Sequence, residues 1–149
     1  MNKLLSIEEL IKKLHFLEKE SISQWGKMNS SQMIKHCSNF IDLYLGKIKV
    51  PFWYKYFGVS IGKLFLIYIS KKSPLKTPRN LRTIKSLKIS EENLDFNIEK
   101  KVLDQKLNNL IKFEGMIDHT IYGKMKSEKI KFLIIHHTTH HFNQFNLIK

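Results

Sequence analysis

Residues 136–145 read HHTTHHFNQF and hold four of the chain's seven histidines. They form two overlapping H-x-x-x-H pairs, His136/His140 and His137/His141. On a helix, positions i and i+4 stack on one face, so either pair could hold one divalent metal ion through imidazole nitrogens. Helical phase separates the pairs. His137 and His141 share a stripe with Ile130, Leu133, Ile134, Gln144 and Ile148, whereas His136 shares its row with Lys129 and Asn143 and is expected to face solvent. His140 falls at the edge of the inward stripe. The inward pair is therefore His137/His141, and two imidazoles in an apolar stripe need polar partners, because an unpaired buried polar group costs about 1–3 kcal/mol. A third ligand from elsewhere would complete a metal site. His36, between Met33, Phe40 and Leu43, is the best candidate, and His119 is its rival. Cys37 points about 100° away from its neighbour His36 and reads as core packing.

These residues need elements to hold them. Ser6-Ile7-Glu8-Glu9 is a capping box, followed by Ile7, Leu10, Ile11, Leu14 and Leu17 at helical spacing. A second helix starts at Asn29-Ser30-Ser31-Gln32 with Met33, Cys37, Phe40, Ile41 and Tyr44 as its apolar set and Gly46 as its stop. An aromatic connector, 49–58, leads into residues 58–70, apolar all round and read as a short buried helix. Residues 71–96 are basic, contain two prolines and lack helical period, which suits a crossover between distant ends of a bundle. A helix over about 97–114 turns Ile98, Val102, Leu103, Leu107, Leu110 and Ile111 inward and stops at Gly115. The last helix follows Ser127. The only extended piece expected is a short one near 83–89. The fold class expected is all-α, a four-helix bundle with one short extra helix and a long crossover, in a single domain over 1–149.

The tetrapeptide Trp25-Gly26-Lys27-Met28 precedes the second helix, and Tyr122-Gly123-Lys124-Met125 precedes the last. Both read as turns ahead of a helix cap. The helices so introduced are the ones that carry the candidate ligands.

Composition bounds the function classes. A single cysteine excludes an intramolecular disulfide framework and a cysteine-based zinc site. The start MNKLLSIEEL turns acidic too soon for a secretory signal, and the longest apolar run, 58–70, is too short to span a bilayer. A cytoplasmic protein with no membrane partner is expected. The net charge is +13, but 24 of the 26 basic residues are lysines. Lysine lacks the guanidinium fork that reads phosphates and base edges, so the charge reads as solvated surface and argues against nucleic acid. The aromatics near 52–57 could supply an apolar patch for a homodimer.

The order W-G-K-M, then a helix with His36, then H-x-x-x-H followed by Gln144, resembles the DinB-like superfamily of bacterial metal-binding four-helix bundles. More narrowly, His119-Thr-Ile-Tyr-Gly-Lys-Met and His137-x-x-His140-His141-x-x-Gln144-Phe145 are similar to a subfamily ending in H-P-x-F-G-K-L and H-L-D-H-H-x-x-Q-F. The likeness covers roughly residues 20–146. It implies a metal triad of His36, His137 and His141 around a divalent ion such as zinc, nickel or iron. It also implies a metal-dependent enzyme, in particular a transferase using a low-molecular-weight thiol, or a hydrolase, acting on a small molecule. Trp25, Lys27, His119, Tyr122, Lys124, His140 and Gln144 would line the approach; no catalytic residue is assigned. Thr120 stands where the subfamily has Pro, and Thr138-Thr139 replace Leu-Asp, removing an acidic residue that could orient a ligand. The alternative reading is a non-catalytic bundle pinned by its metal or binding a partner.

Overall fold

A computed structural model describes residues 4–148. The chain is mostly helical. Helix α1 (Ile7–His15) starts at the expected capping box, in which Glu9 N donates to Ser6 Oγ at 3.1 Å and Ser6 N to Glu9 Oε2 at 2.7 Å. Helix α2 (Ser30–Tyr44) starts the same way, from Asn29 and Gln32. Helix α5 (Phe96–Lys112) is capped by Asp95, whose carboxylate accepts from Ile98 N, and α6 spans Ser127–Gln144. These caps satisfy amide donors that the first turn of a helix leaves orphaned.

Each of the four long helices packs on two others: α1 on α5 and α6, and α2 on α5 and α6. Leu10 and Leu14 of α1, Ile34 and Ile41 of α2, Leu103 and Leu107 of α5, and Ile130, Ile134 and Phe142 of α6 are all fully buried between them. Burying each such side chain is worth about 1.5–3 kcal/mol. Lys106–Asp42 at 2.6 Å and Lys35–Glu99 at 3.1 Å tie α5 to α2 along one margin.

Between α2 and α5 the chain forms α3 (Trp53–Phe57), a π-helical turn (Gly58–Gly62) and α4 (Lys63–Ser70) as one continuous helical run. Its part over 58–70 is not the buried helix expected from its composition. Only Gly58, Leu66 and Ile69 are buried in the run, while Tyr56, Ile61 and Leu64 are 84%, 65% and 67% exposed. The two glycines allow its close approach to the chain. A Cβ at Gly58 would collide with the Ile121 carbonyl, and one at Gly62 would come within 2.7 Å of the Tyr122 ring. The crossover over 71–96 has 3₁₀ turns at Pro74–Lys76 and Lys85–Leu87, the latter where a short extended piece was expected.

Other differences concern the second half. An antiparallel hairpin, β1 (Met116–His119) with β2 (Gly123–Lys126), precedes α6, so the chain is not all-α. The second aromatic-Gly-Lys-Met element is therefore the turn and second strand of this hairpin, with Gly123 at φ +75°. Gly123 opens the second strand directly after the loop 120–122, in the left-handed region that glycine adopts without strain. Ile98 lies on the outer face of α5, 61% exposed, and Phe96 is buried instead. Among the described residues no helix is long and apolar enough to cross a membrane.

Candidate metal centre

Helices α2 and α6 bring His36, His137 and His141 together, with one ring nitrogen of each within 4.8 Å of the others. The i, i+4 spacing on α6 sets the His137 and His141 rings 4.6 Å apart, and the His36 ring of α2 lies 4.9 and 4.8 Å from them. Phe40, one turn after His36, stacks flat on His137 at 3.6 Å and 7°, which fixes the plane of that ring.

Hydrogen bonds decide which nitrogen each ring offers. His36 Nδ1 lies 2.9 Å from the Leu87 carbonyl, and a carbonyl only accepts, so Nδ1 carries the proton and Nε2 is left as a lone pair. Gln144 Nε2 donates to the Trp25 carbonyl at 2.6 Å, which orients its amide so that Oε1 accepts from His141 Nδ1 at 2.8 Å. His141 therefore also presents Nε2 as a lone pair. The His36 and His137 Nε2 atoms are 3.1 Å apart. Two nitrogens ligating one ion at about 2.0–2.1 Å in tetrahedral array lie roughly 3.3 Å apart, so this pair fits a shared ion. His137 Nδ1 is buried with no hydrogen-bond partner among the described residues. Of the three rings it is the one whose orienting bond is missing.

Electrostatics keep the cluster neutral. Burial, reinforced by repulsion from neighbouring histidines, holds His137 well below the ordinary histidine range and His141 down at about 3, and burial also lowers His36. Neutral imidazoles are the form that binds a metal, so no proton has to be displaced at neutral pH.

The remaining expected residues divide into three groups. Trp25, His140 and Gln144 belong to the centre. Trp25 packs on His140 at 5.8 Å, and His140 lies 5.2 Å from His141 with its Nδ1 3.3 Å from the Pro74 carbonyl. His119 and Tyr122 form a neighbouring cluster. His119 Nδ1 accepts from Ile121 N and Tyr122 N, and its ring packs on Tyr44, which stacks on Phe40. The rival third ligand is thus a hairpin residue and not part of the triad. Lys27 and Lys124 are exposed and form no hydrogen bond or ion pair among the described residues.

One expectation fails outright. His136 does not face solvent: it is 3% exposed, with Nε2 3.1 Å from the Lys72 carbonyl. The crossover lies across that face of α6, so a row containing Lys129 and Asn143 is covered; Lys129 Nζ itself donates to Ser70 Oγ at 2.6 Å. Sequence reasoning also missed the crossover carbonyls of Lys72, Pro74 and Leu87 as partners of three histidines, and Arg79, whose guanidinium sits 4.2 Å over the Trp25 ring. Backbone acceptors leave no mark in side-chain identity. Arg79, one of two arginines among 26 basic residues, was the one visible signal.

Gly26 explains the first aromatic-Gly-Lys-Met element. It adopts φ +81°, and a Cβ there would sit 2.6 Å from Gln144 Nε2. The glycine leaves room for the amide that orients His141.

No curated protein and no solved structure matches the chain. A family model described as "Protein of unknown function (DUF1569)" matches residues 3–147, a span that takes in both helices of the histidine cluster and the crossover that contacts it. The chain belongs to the DUF1569 family.

Proposed function

We propose that this chain is a DinB-like four-helix bundle in which His36, His137 and His141 hold one divalent ion, and that it transfers a low-molecular-weight thiol to, or hydrolyses, a small molecule. The observation that carries the reading is the pair of orienting bonds, Leu87 carbonyl to His36 and Gln144 amide to His141, which point two imidazole lone pairs into a cluster that a third ring completes. Buried histidines of any role need such partners, as His136 shows. What favours a ligand set is that the lone pairs left over on His36 and His141 converge on a third ring, as in metal ligands whose second nitrogen is hydrogen-bonded. The ring of contacts among α1, α2, α5 and α6 supports the bundle, because ligands on facing helices of such a fold converge in its interior.

A divalent ion with three neutral histidine ligands supplies a Lewis acid that lowers the pKa of a bound water or thiol. The chain's own residues do the rest. Phe40 and the Leu87 and Gln144 contacts hold the rings rigid, which limits the reorganisation that binding requires. His140 donates Nδ1–H to Pro74 and keeps Nε2 as an acceptor at the rim, with its pKa lowered by burial, so it is the group placed to take a proton from an incoming thiol or water. Trp25, pinned under Arg79, forms a wall beside it.

The test is turnover of monobromobimane with bacillithiol, glutathione or coenzyme A, and of simple esters and amides for hydrolysis. In the bimane reaction the thiol sulfur bonds to carbon, bromide leaves and the thiol proton passes to the base. Metal-loaded protein should exceed apo protein with at least one thiol or hydrolysable substrate. Equal rates throughout would refute catalysis and leave a metal-stabilised bundle.

A further inference from the structure

The positive charge of this chain is concentrated in one stretch. Residues 43–90 contain eleven lysines and arginines and no aspartate or glutamate, whereas the rest of the chain holds fifteen basic and thirteen acidic residues. Ten of the eleven cationic side chains are exposed, Lys72 alone being half-buried.

The same stretch contains the exposed helical run 53–70. Gly58, Gly62, Leu66 and Ile69 fall on one narrow stripe that faces the chain. The remaining circumference carries Trp53, Tyr56, Phe57, Ile61, Leu64, Phe65, Ile67 and Tyr68, each between 46% and 84% exposed. Phe52, just before the run, is 89% exposed. Eighteen residues at 1.5 Å per residue make this an apolar rod roughly 27 Å long. Monomeric soluble proteins rarely leave a contiguous apolar face of this size uncovered. Lys63 lies within the run, where Lys55 is ion-paired with Asp118 at 3.1 Å. Lys71 and Lys72 lie at its end, where a cavity of about 630 Å³ is lined by Lys71, Lys72, Lys76 and His136.

We propose that this face is an in-plane anchor onto an anionic lipid surface. Aromatic and aliphatic side chains of the run enter the headgroup–acyl boundary, and the surrounding lysines meet lipid phosphates. Tryptophan and tyrosine are the aromatic types favoured at that depth. Lysine, a point charge on a long apolar stem, suits such a surface without the guanidinium fork. The run lies on the membrane and does not cross it, in keeping with the helix lengths. A lipid partner was not expected from the sequence, where residues 58–70 read as core. Two other occupants fit less well. A symmetric second copy would bring two stretches, each with eleven basic and no acidic residues, against one another. Nucleic acid would use the lysines but leave Ile61, Leu64 and Ile67 in water.

The experiment is cosedimentation of the full chain with vesicles of equimolar phosphatidylglycerol and phosphatidylcholine, and with phosphatidylcholine alone, at about 50 mM salt, where surface charges act over the longest range. The chain should bind the anionic vesicles and not the neutral ones. Ile61→Ser with Leu64→Ser should weaken binding by at least about tenfold. Lys63→Gln and Lys71→Gln should each weaken it about fivefold. The apolar positions are exposed, so circular dichroism and metal content of these variants should match wild type. No binding to anionic vesicles would overturn the proposal, as would binding unaffected by the double serine variant. A dimer in light scattering that the serines dissolve would assign the face to a second copy. Duplex DNA displacing vesicles from wild type and binding the serine variant equally well would assign the charge to nucleic acid. Either result would also overturn it.

Discussion

Gln144→Leu separates the orienting role of the amide from the ligands themselves. The substitution leaves an apolar side chain one atom shorter and removes the 2.8 Å bond to His141 Nδ1 and the 2.6 Å bond to the Trp25 carbonyl. Gln144 is 3% exposed, so water does not freely replace it at either group. Two buried polar groups left unpaired at about 1–3 kcal/mol each predict a loss of roughly 2–6 kcal/mol in stability, read as a shift in the urea midpoint of the apo protein. Metal affinity should fall about 10–100-fold, the usual effect of removing a group that orients a ligand, measured by competition with a chromophoric chelator. Stoichiometry at saturation should stay at one ion. Gly26→Ala should weaken metal binding in the same direction, because its Cβ would occupy space 2.6 Å from Gln144 Nε2 and its φ of +81° disfavours any side chain. Unchanged metal affinity in Gln144→Leu would refute the claim that this amide sets the His141 tautomer.

Two further outcomes follow from the buried histidines. In chelator, the chain should lose stability as pH falls. His141, held down to about 3, and His119, held down to about 4, stay neutral when folded, whereas unfolded histidine takes up a proton below about 6.5. The unfolded state then binds more protons, so stability that is full above pH 6.5 falls by about 2 kcal/mol per group by pH 5, roughly 4 kcal/mol together. His36 and His137 act in the same direction, and denaturant titrations at pH 8 and 5 that coincide would contradict the burial of these rings. Second, His136→Ala should lower apo stability by about 1–3 kcal/mol, since it strands the Lys72 carbonyl and opens a buried site, while leaving metal content intact. A neutral effect on melting would mean that the crossover does not cover this face.

The triad was legible because helical spacing and sequence neighbours constrain it strongly. His137 and His141 are four residues apart on a helix whose start at Ser127 is also readable, and His36 lies beside the buried positions of a capped helix. The phase argument failed at His136 because it assumes one wet face. From Ile130 to Gln144 no residue of α6 is exposed, the crossover having covered the remaining side. The hairpin was missed because its strands are four residues each and Gly-Lys-Met-Lys shows no apolar face beyond Met125, which is buried. The stretch 58–70 misled for the opposite reason. Sequence pattern reports what a helix avoids in water, not whether protein or something else covers it.

The most direct measurement is metal content at saturation, by elemental analysis of dialysed protein, for wild type and the single variants His36→Ala, His137→Ala, His141→Ala and His136→Ala. The account predicts one divalent ion per chain in wild type and in His136→Ala, and loss of stoichiometric metal in the other three. Absence of metal from wild type after loading, or equal loss in His136→Ala and His137→Ala, would contradict it.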